Sequence, residues 1–355
     1  MQTETHDPWI TSPDLIRQFL DIRPSYEDLC REIHYILTKK IKAKKIEISQ
    51  ITFRAKTLNS FLEKLDRKFY EDPLKEITDL AGTRVVCLYV DDIALIERIV
   101  RKEFVVIEKV DKLSEKSADQ FGYGAIHFIV RLGEKSSGAR YDDLKRLVCE
   151  IQLRTVLQDA WAIIDHHLVY KNESAVPKSL HRKLNSLAGL FETADDQFQQ
   201  IRKQRSDYVE EIRKSTEAPK EFLATPLDLD SFREYLRWRF PEKPIEAFKN
   251  QIGITLKKFQ EIGFKSLADL EDELDADLLS RAAAAIEEMP CVSKVNEKVP
   301  ATAFLLTAIA LGNPTLLKNI VSSEERRMIL EKHSRKSLRK TRTRVKDRKS
   351  DNTAQ

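Results

Sequence analysis

At 355 residues, of which 41% are hydrophobic, the chain is long enough for about two domains with real cores, and this excludes a low-complexity or disordered protein. The net charge of +4 is uneven: from Lys332 to Lys349, ten of eighteen residues are Lys or Arg and only Asp347 opposes them, so the basicity is a tail and the rest is net acidic. No apolar run could span a bilayer and no basic-then-apolar leader opens the chain. Cys30, Cys87, Cys149 and Cys291 show no C-x-x-C spacing, so the expectation is a cytoplasmic chain with no membrane partner and reduced, buried thiols.

In chain order, residues 13 to 45 carry a helical pattern through Leu15, Ile16, Phe19, Leu20, Tyr26, Leu29, Ile33, Ile36 and Leu37, ending in the basic patch Lys39 to Lys45. That patch reads either as a charged helix end or as an electropositive rim. Ile51 to Leu65 predicts a strand end bearing Arg54 and Lys56, then a helix on which Ser60 and Lys64 share a face. Such a set suits a polyphosphate chain, and equally a solvated basic helix face.

Thr78 to Arg84, Thr-Asp-Leu-Ala-Gly-Thr-Arg, leads into Val85-Val86-Cys87-Leu88-Tyr89-Val90, predicted to be a strand buried on both faces. Asp79 is a hard oxygen ligand of the kind Mg²⁺ takes, and Arg84 offers a planar fork at the same strand mouth. A helix from Asp91 to Glu103 and a strand from Phe104 to Val110 complete a β-α-β unit, and Asp111 to Gln120 reads as a polar binding loop or lid.

Phe121 to Leu132 predicts a strand that puts Tyr123, Ala125 and His127 on one side, an aromatic platform beside an imidazole. Residues 146 to 154 predict another, with Glu150, Gln152 and Arg154 alternating against Cys149, Ile151 and Leu153. A carboxylate there needs a metal, a guanidinium or a substrate proton as partner. Thr155 is placed to cap a helix carrying Trp161, and the adjacent His166 and His167 do not by themselves make a zinc motif.

Taken together, Arg54-x-Lys56-x3-Ser60-x3-Lys64, Asp79-Leu-Ala-Gly-Thr-Arg84, Gly122-Tyr123-x3-His127, Glu150-Ile-Gln152-Leu-Arg154-Thr155 and Trp161-Ala162-x2-Asp165-His166-x3-Tyr170-Lys171 resemble, in order, the synthetase domain of the RelA/SpoT family over about residues 20 to 205. The resemblance implies an α/β fold, a mixed β-sheet wrapped by helices. It implies a pyrophosphokinase that moves the β,γ-diphosphate of ATP to a 3′-hydroxyl and releases AMP.

Carried across, Arg54 and Arg84 would sandwich adenine, and Lys56, Ser60 and Lys64 would hold the ATP phosphates. Asp79 would bind Mg²⁺, with Glu150 as second ligand or as the base that takes the hydroxyl proton. Tyr123 would stack on the acceptor base, and His127, Gln152 and Arg154 would line the acceptor and phosphate side. The chain departs from the family pattern at Ala125, where Ser is usual, at Asp165, where Glu is usual, and in the loop before Tyr123, where Lys116 is a candidate phosphate contact. Nothing in it resembles the family's hydrolase domain.

The expected organisation is a synthetase domain at 1–215, a linker at 216–230 with Pro219 and Pro226, an all-helical domain at 231–331 with a regulatory or neutralising role, and a disordered basic tail at 332–355. Helices are predicted at Phe232–Phe240, Pro244–Gly253, Thr255–Gly263, Ser266–Asp275, Asp277–Met289 and Ala301–Leu311. Gly253, Gly263 and Gly312 are read as stops, Ser266 as an N-cap, and Ala282 to Ile286 as close-packed core. Two functions fit the resemblance. One is an alarmone synthetase acting on GTP or GDP, whose helical domain serves regulation or homo-oligomer assembly. The other is a toxic relative that pyrophosphorylates the tRNA 3′ end, with a restraining domain in the same chain and with the basic segments touching tRNA or the ribosome.

Overall fold

The computed structural model describes residues 8–111, 124–169, 178–289, 299–313, 316 and 327–334. The chain divides into two compact units, Met1–Arg202 and Lys203–Gln355.

The first unit opens with a helical turn, α1 (Pro8–Thr11), and the 31-residue α2 (Pro13–Ala43), which passes through Pro24 without a break and buries Ile16, Phe19, Tyr26, Leu29, Ile33, Leu37 and Ile41 on one face. Leu20 is left outside that face, 46% exposed. There follow β1 (Ile48–Ala55), α3 (Leu58–Arg67), the turn α4 (Pro73–Glu76), β2 (Ala81–Cys87), α5 (Val90–Glu103), β3 (Phe104–Asp111), β4 (Ile126–Leu132), β5 (Cys149–Thr155), α6 (Val156–Val169) and α7 (Lys178–Ser215), whose last residues belong to the second unit.

The sheet order is β1-β2-β5-β4-β3, with β2 parallel to β5 and every other pairing antiparallel. This is the mixed sheet expected. Because directly paired residues point to the same side, the register alone assembles a polar face. Arg54 stands opposite Gly82, Gly82 opposite Glu150, Arg84 opposite Gln152, and Gln152 opposite His127. The alternate residues Val85, Cys87, Cys149, Ile151, Leu153, Phe128 and Val130 point the other way and pack with α2 and α5 in one apolar core. The β-α-β unit is present, but β2 and β3 are separated by β5 and β4.

The strand expected at Val85–Val90 begins and ends earlier, at Ala81 and Cys87. Only Val85 to Cys87 form a consecutive buried run; Gly82 and Arg84 stay partly open, and Tyr89 takes extended backbone as the N-cap of α5. The acidic pair Asp91 and Asp92 in the next turn favours a helix start there over a longer strand. Cys30, Cys87 and Cys149 are free and buried, while Cys291 and the loop 112–120 lie outside the described residues.

In the second unit, α8 (Pro219–Leu223), α9 (Leu229–Arg239), α10 (Gln251–Glu261), α11 (Leu267–Asp272), α12 (Ala276–Glu287) and α13 (Ala301–Gly312) surround a core of Phe222, Phe232, Tyr235, Phe259, Leu267, Ala285, Leu305 and Ile309. Residues 216–230, read as a linker, carry α8 and place Phe222 and Leu227 in that core. Ser266 caps α11 through a reciprocal bond with Asp269, and Gly263 ends α10 at φ 103°.

Gly253 does not stop a helix. It lies in the first turn of α10, where a Cβ would come within 2.6 Å of the Asn250 side-chain oxygen, and the two helices expected at 244–263 are one that begins after Asn250. Of the Ala-rich segment, Ala282, Ala285 and Ile286 are core, while Ala283 and Ala284 are exposed on the other side of α12. Ala282→Leu is therefore expected to overpack this interior and lower stability by about 1–3 kcal/mol, read as a lower denaturant midpoint at constant m-value.

Candidate active site

The polar face of the sheet forms one wall of a cavity of about 250 Å³ lined by Thr52, Phe53, Arg54, Asp79, Gly82, Thr83, Arg84, Glu150 and Gln152. Asp79 lies just ahead of β2, and two lysines converge on its carboxylate. Lys56 Nζ, just past β1, donates to Oδ2 at 2.6 Å, and Lys64 Nζ on α3 donates to Oδ1 at 2.8 Å. Burial pushes the Asp79 carboxyl up, but the two ammonium groups outweigh it and hold the group below the usual carboxylate range. Thr57 caps α3 by accepting from the Ser60 backbone N–H, which sets the helix direction that carries Lys64 to Asp79. The Ser60 hydroxyl itself turns to Thr57, 3.1 Å away, and stands outside the Asp79 cluster.

Across the cavity, Glu150 is held at both oxygens. Gln152 Nε2 donates to Oε2 at 2.7 Å, and His127 Nδ1 lies 2.7 Å from Oε1. Burial raises the Glu150 carboxyl, the His127 and Gln152 contacts lower it, and the net position is below the ordinary value despite an opposing push from the Asp79 charge. His127 is buried and its Nε2 has no hydrogen-bond partner among the described residues. The strand expectation thus brings Glu150, Gln152 and His127 together. Tyr123, Lys116, Tyr170 and Lys171 lie outside the described residues, and Ala125 is a buried residue just before β4.

Arg84 and Arg154 share one carboxylate that sequence reasoning overlooked. Asp159, only 6% exposed in the first turn of α6, accepts from Arg84 Nη1 at 2.9 Å and lies 3.6 Å from Arg154 Nη1, while Arg84 Nε donates to Gln152 at 3.4 Å. Burial and the neighbouring Arg84 charge lower the Arg154 pKa, with Asp159 opposing them. The sequence signal was an acidic residue one helical turn past the Thr155 cap, on the side that returns toward the strand just left. Asp159→Asn should leave the two guanidinium groups facing each other without their anion. The expected result is about a tenfold fall in kcat/KM, or ~1.4 kcal/mol of transition-state stabilisation, with an unchanged far-ultraviolet spectrum.

Chemically, the arrangement pairs Lys56 and Lys64 with Asp79 and pairs Arg84 and Arg154 with Asp159, while Arg54, Asp79, Arg84 and Glu150 line one cavity. Residues 53–175 match the family model described as a region found in RelA / SpoT proteins. The chain is 32% identical over 160 residues to GTP pyrophosphokinase YjbM of Bacillus subtilis (strain 168), a match covering 44% of this chain and 72% of that one. It is 31% identical over 156 residues to GTP pyrophosphokinase YwaC of the same organism, covering 42% and 72%. Among solved structures it is similar to small alarmone synthetase 1 from Bacillus subtilis bound to its product pppGpp, with 27% identity, a TM-score of 0.44, and 54% of this chain and 99% of that chain covered.

Proposed function

The chain belongs to the RelA/SpoT family of pyrophosphotransferases, and on that premise we propose that it transfers the β,γ-diphosphate of ATP to the 3′-hydroxyl of GTP or GDP, making a guanosine alarmone and AMP. The observation that carries the reading is the convergence of Lys56 and Lys64 on Asp79 across one cavity from Glu150.

In this reading the acceptor 3′-oxygen attacks the β-phosphorus of ATP. The bond from β-phosphorus to the bridging oxygen breaks, AMP leaves with that oxygen, and the hydroxyl proton passes to Glu150. Such transfer needs positioned reactants and neutralised charge more than covalent help. Lys56, Lys64 and Arg54 bind the donor phosphates and base, Arg84 flanks the adenine, and Ser60 adds a hydroxyl at the phosphate end of α3. His127, Gln152, Arg154 and Tyr123 serve the acceptor side.

The donor set suits Mg²⁺. Asp79 and Glu150 offer hard carboxylate oxygens, and among the described residues no third His, Cys, Asp or Glu joins them in a metal-binding group. Mg²⁺ takes one or two carboxylates and completes its shell with water and substrate phosphate, so a two-carboxylate set fits it. When bound, the ion would neutralise charge developing on the transferred diphosphate.

Residues 1–215 form the catalytic part in this reading, and 231–331 act as its regulatory or assembly domain. No helix among the described residues is long and apolar enough to cross a membrane. A comparison of AMP release with GTP, GDP or deacylated tRNA as sole acceptor tests the reading. Release dependent on GTP or GDP supports it, and release dependent on tRNA alone replaces it with the toxic alternative.

A further inference from the structure

The corner between β5 and α6 is held from behind the cavity. Thr155 ends β5 and α6 begins at the next residue. The Thr155 hydroxyl donates to Asp195 Oδ2 on α7 at 2.7 Å and accepts from the Gln158 backbone N–H at 3.1 Å, and the Thr155 N–H donates to Gln158 Oε1 at 2.9 Å. The residue before this corner is Arg154 and the residue after Gln158 is Asp159, the two groups that meet with Arg84 at the cavity wall. Asp195 is 4% exposed.

Its surroundings are acidic. Asp196 follows it on α7, and the Cys87 thiol on β2 is pushed up to about 12 by burial, then by the charges of Asp92 and Asp195. Asp92, fully buried on α5, is paired with Arg202 of α7 at 2.8 Å. Among the described residues, the groups around Asp195 include Asp196 and Cys87, with Thr155 as a hydroxyl partner.

We propose that Asp195 is a positioning residue for the transfer reaction: by holding the Thr155 hydroxyl it fixes the β5-to-α6 corner, and with it the placement of Asp159 against Arg84 and Arg154. The role rests on the function proposed above. The geometry supports it, because the hydroxyl that Asp195 holds belongs to the one residue that joins Arg154 on β5 to the helix turn carrying Asp159. Its chemistry also gives the role a signature in pH. Burial, and after it the Asp196 charge, push the Asp195 carboxyl up to about 7. Protonation removes the charge and leaves a neutral acceptor, so the bond from the Thr155 hydroxyl weakens as pH falls through that value.

The test measures kcat and KM for both substrates between pH 6 and 8.5 in the full chain, for the wild type, Asp195→Asn, Asp195→Ala, Thr155→Val and Thr155→Ser. The amide oxygen of Asn still accepts from Thr155 and does not titrate. Asp195→Asn should therefore lose the acid limb near pH 7, with a pH-independent kcat that lies between those of the wild type at pH 8 and Asp195→Ala. Asp195→Ala and Thr155→Val should lower kcat about tenfold with KM for GTP changed less than twofold, and Thr155→Ser should restore it.

Thr155→Val keeps the side-chain shape, so it supplies the answer if Asp195→Ala does not fold. Wild-type kcat and pH profile in both Thr155→Val and Asp195→Ala, in preparations where Glu150→Gln abolishes transfer, would overturn the positioning role and leave the enzymatic reading standing. Undiminished transfer in Glu150→Gln itself would instead overturn that enzymatic reading, and the positioning role with it.

Discussion

Glu150→Gln is expected to lower kcat by about 10²- to 10⁴-fold, the usual contribution of a positioned general base. Glutamine keeps the shape and one acceptor oxygen, so β5 and its pairing with β2 and β4 should persist. What is lost is the charge that His127 Nδ1 and Gln152 Nε2 hold at 2.7 Å each. The pH dependence follows from the direction of the shift. Because the folded-state pKa of Glu150 lies below its ordinary value, the carboxylate stays ionised through the neutral range, and the stability that its contacts contribute is lost only as pH falls past the ordinary glutamate value and through the lowered one. An acid limb near neutrality in kcat therefore has another origin, and Asp195 supplies one. Rapid-quench measurement of AMP formation separates the chemical step from product release and checks the assignment.

Asp79→Asn is expected to cost about 10²- to 10⁴-fold in kcat/KM, the equivalent of several kcal/mol of charge stabilisation at the transferred group. Two effects add. The amide is a poor ligand for a hard cation, and Lys56 and Lys64 lose the anion that holds both ammonium groups at 2.6 and 2.8 Å. The second effect predicts a distinctive control. Free of Asp79, the two lysines still attract phosphate, so binding of a non-hydrolysable ATP analogue without Mg²⁺ should weaken less than tenfold, while the gain in affinity on adding Mg²⁺ disappears. Calorimetric titration with and without the metal reads both quantities.

Much of this site is written locally in the chain. Glu150, Gln152 and Arg154 alternate with apolar residues on one strand, and period-two alternation is enough to put them on a common face. The lysine pair and Asp79 are less local, since Lys56 follows β1, Lys64 rides on α3 and Asp79 precedes β2. Their meeting depends on the antiparallel pairing of β1 with β2, which sequence spacing alone does not give.

Asp159 was missed for the same reason. Its partners Arg84 and Arg154 lie on different strands, and only the parallel register of β2 with β5 brings them to one carboxylate. Asp195 is more remote still, forty residues beyond the hydroxyl it holds.

In the helical unit, the capping box at Ser266 and the positive φ of Gly263 are local chemistry and were legible. Gly253 misled because a helix-ending glycine and a close-packed glycine look alike in sequence, and the contact with Asn250 decides between them. The proline-bearing stretch 216–230 looked like a connector by composition, although Phe222 and Leu227 are the kind of residues a core recruits.

In the proposed reaction a diphosphate moves as one unit from ATP to a guanosine 3′-hydroxyl. The full-length protein incubated with Mg²⁺, GTP and ATP labelled on either the α- or the γ-phosphate tests it most directly. The expected result is the α-label in AMP and the γ-label in a guanosine nucleotide carrying a 3′-diphosphate, in equal amounts. Gamma label released as inorganic phosphate with formation of ADP, or guanosine nucleotides left unlabelled while added deacylated tRNA takes up the label, would contradict it.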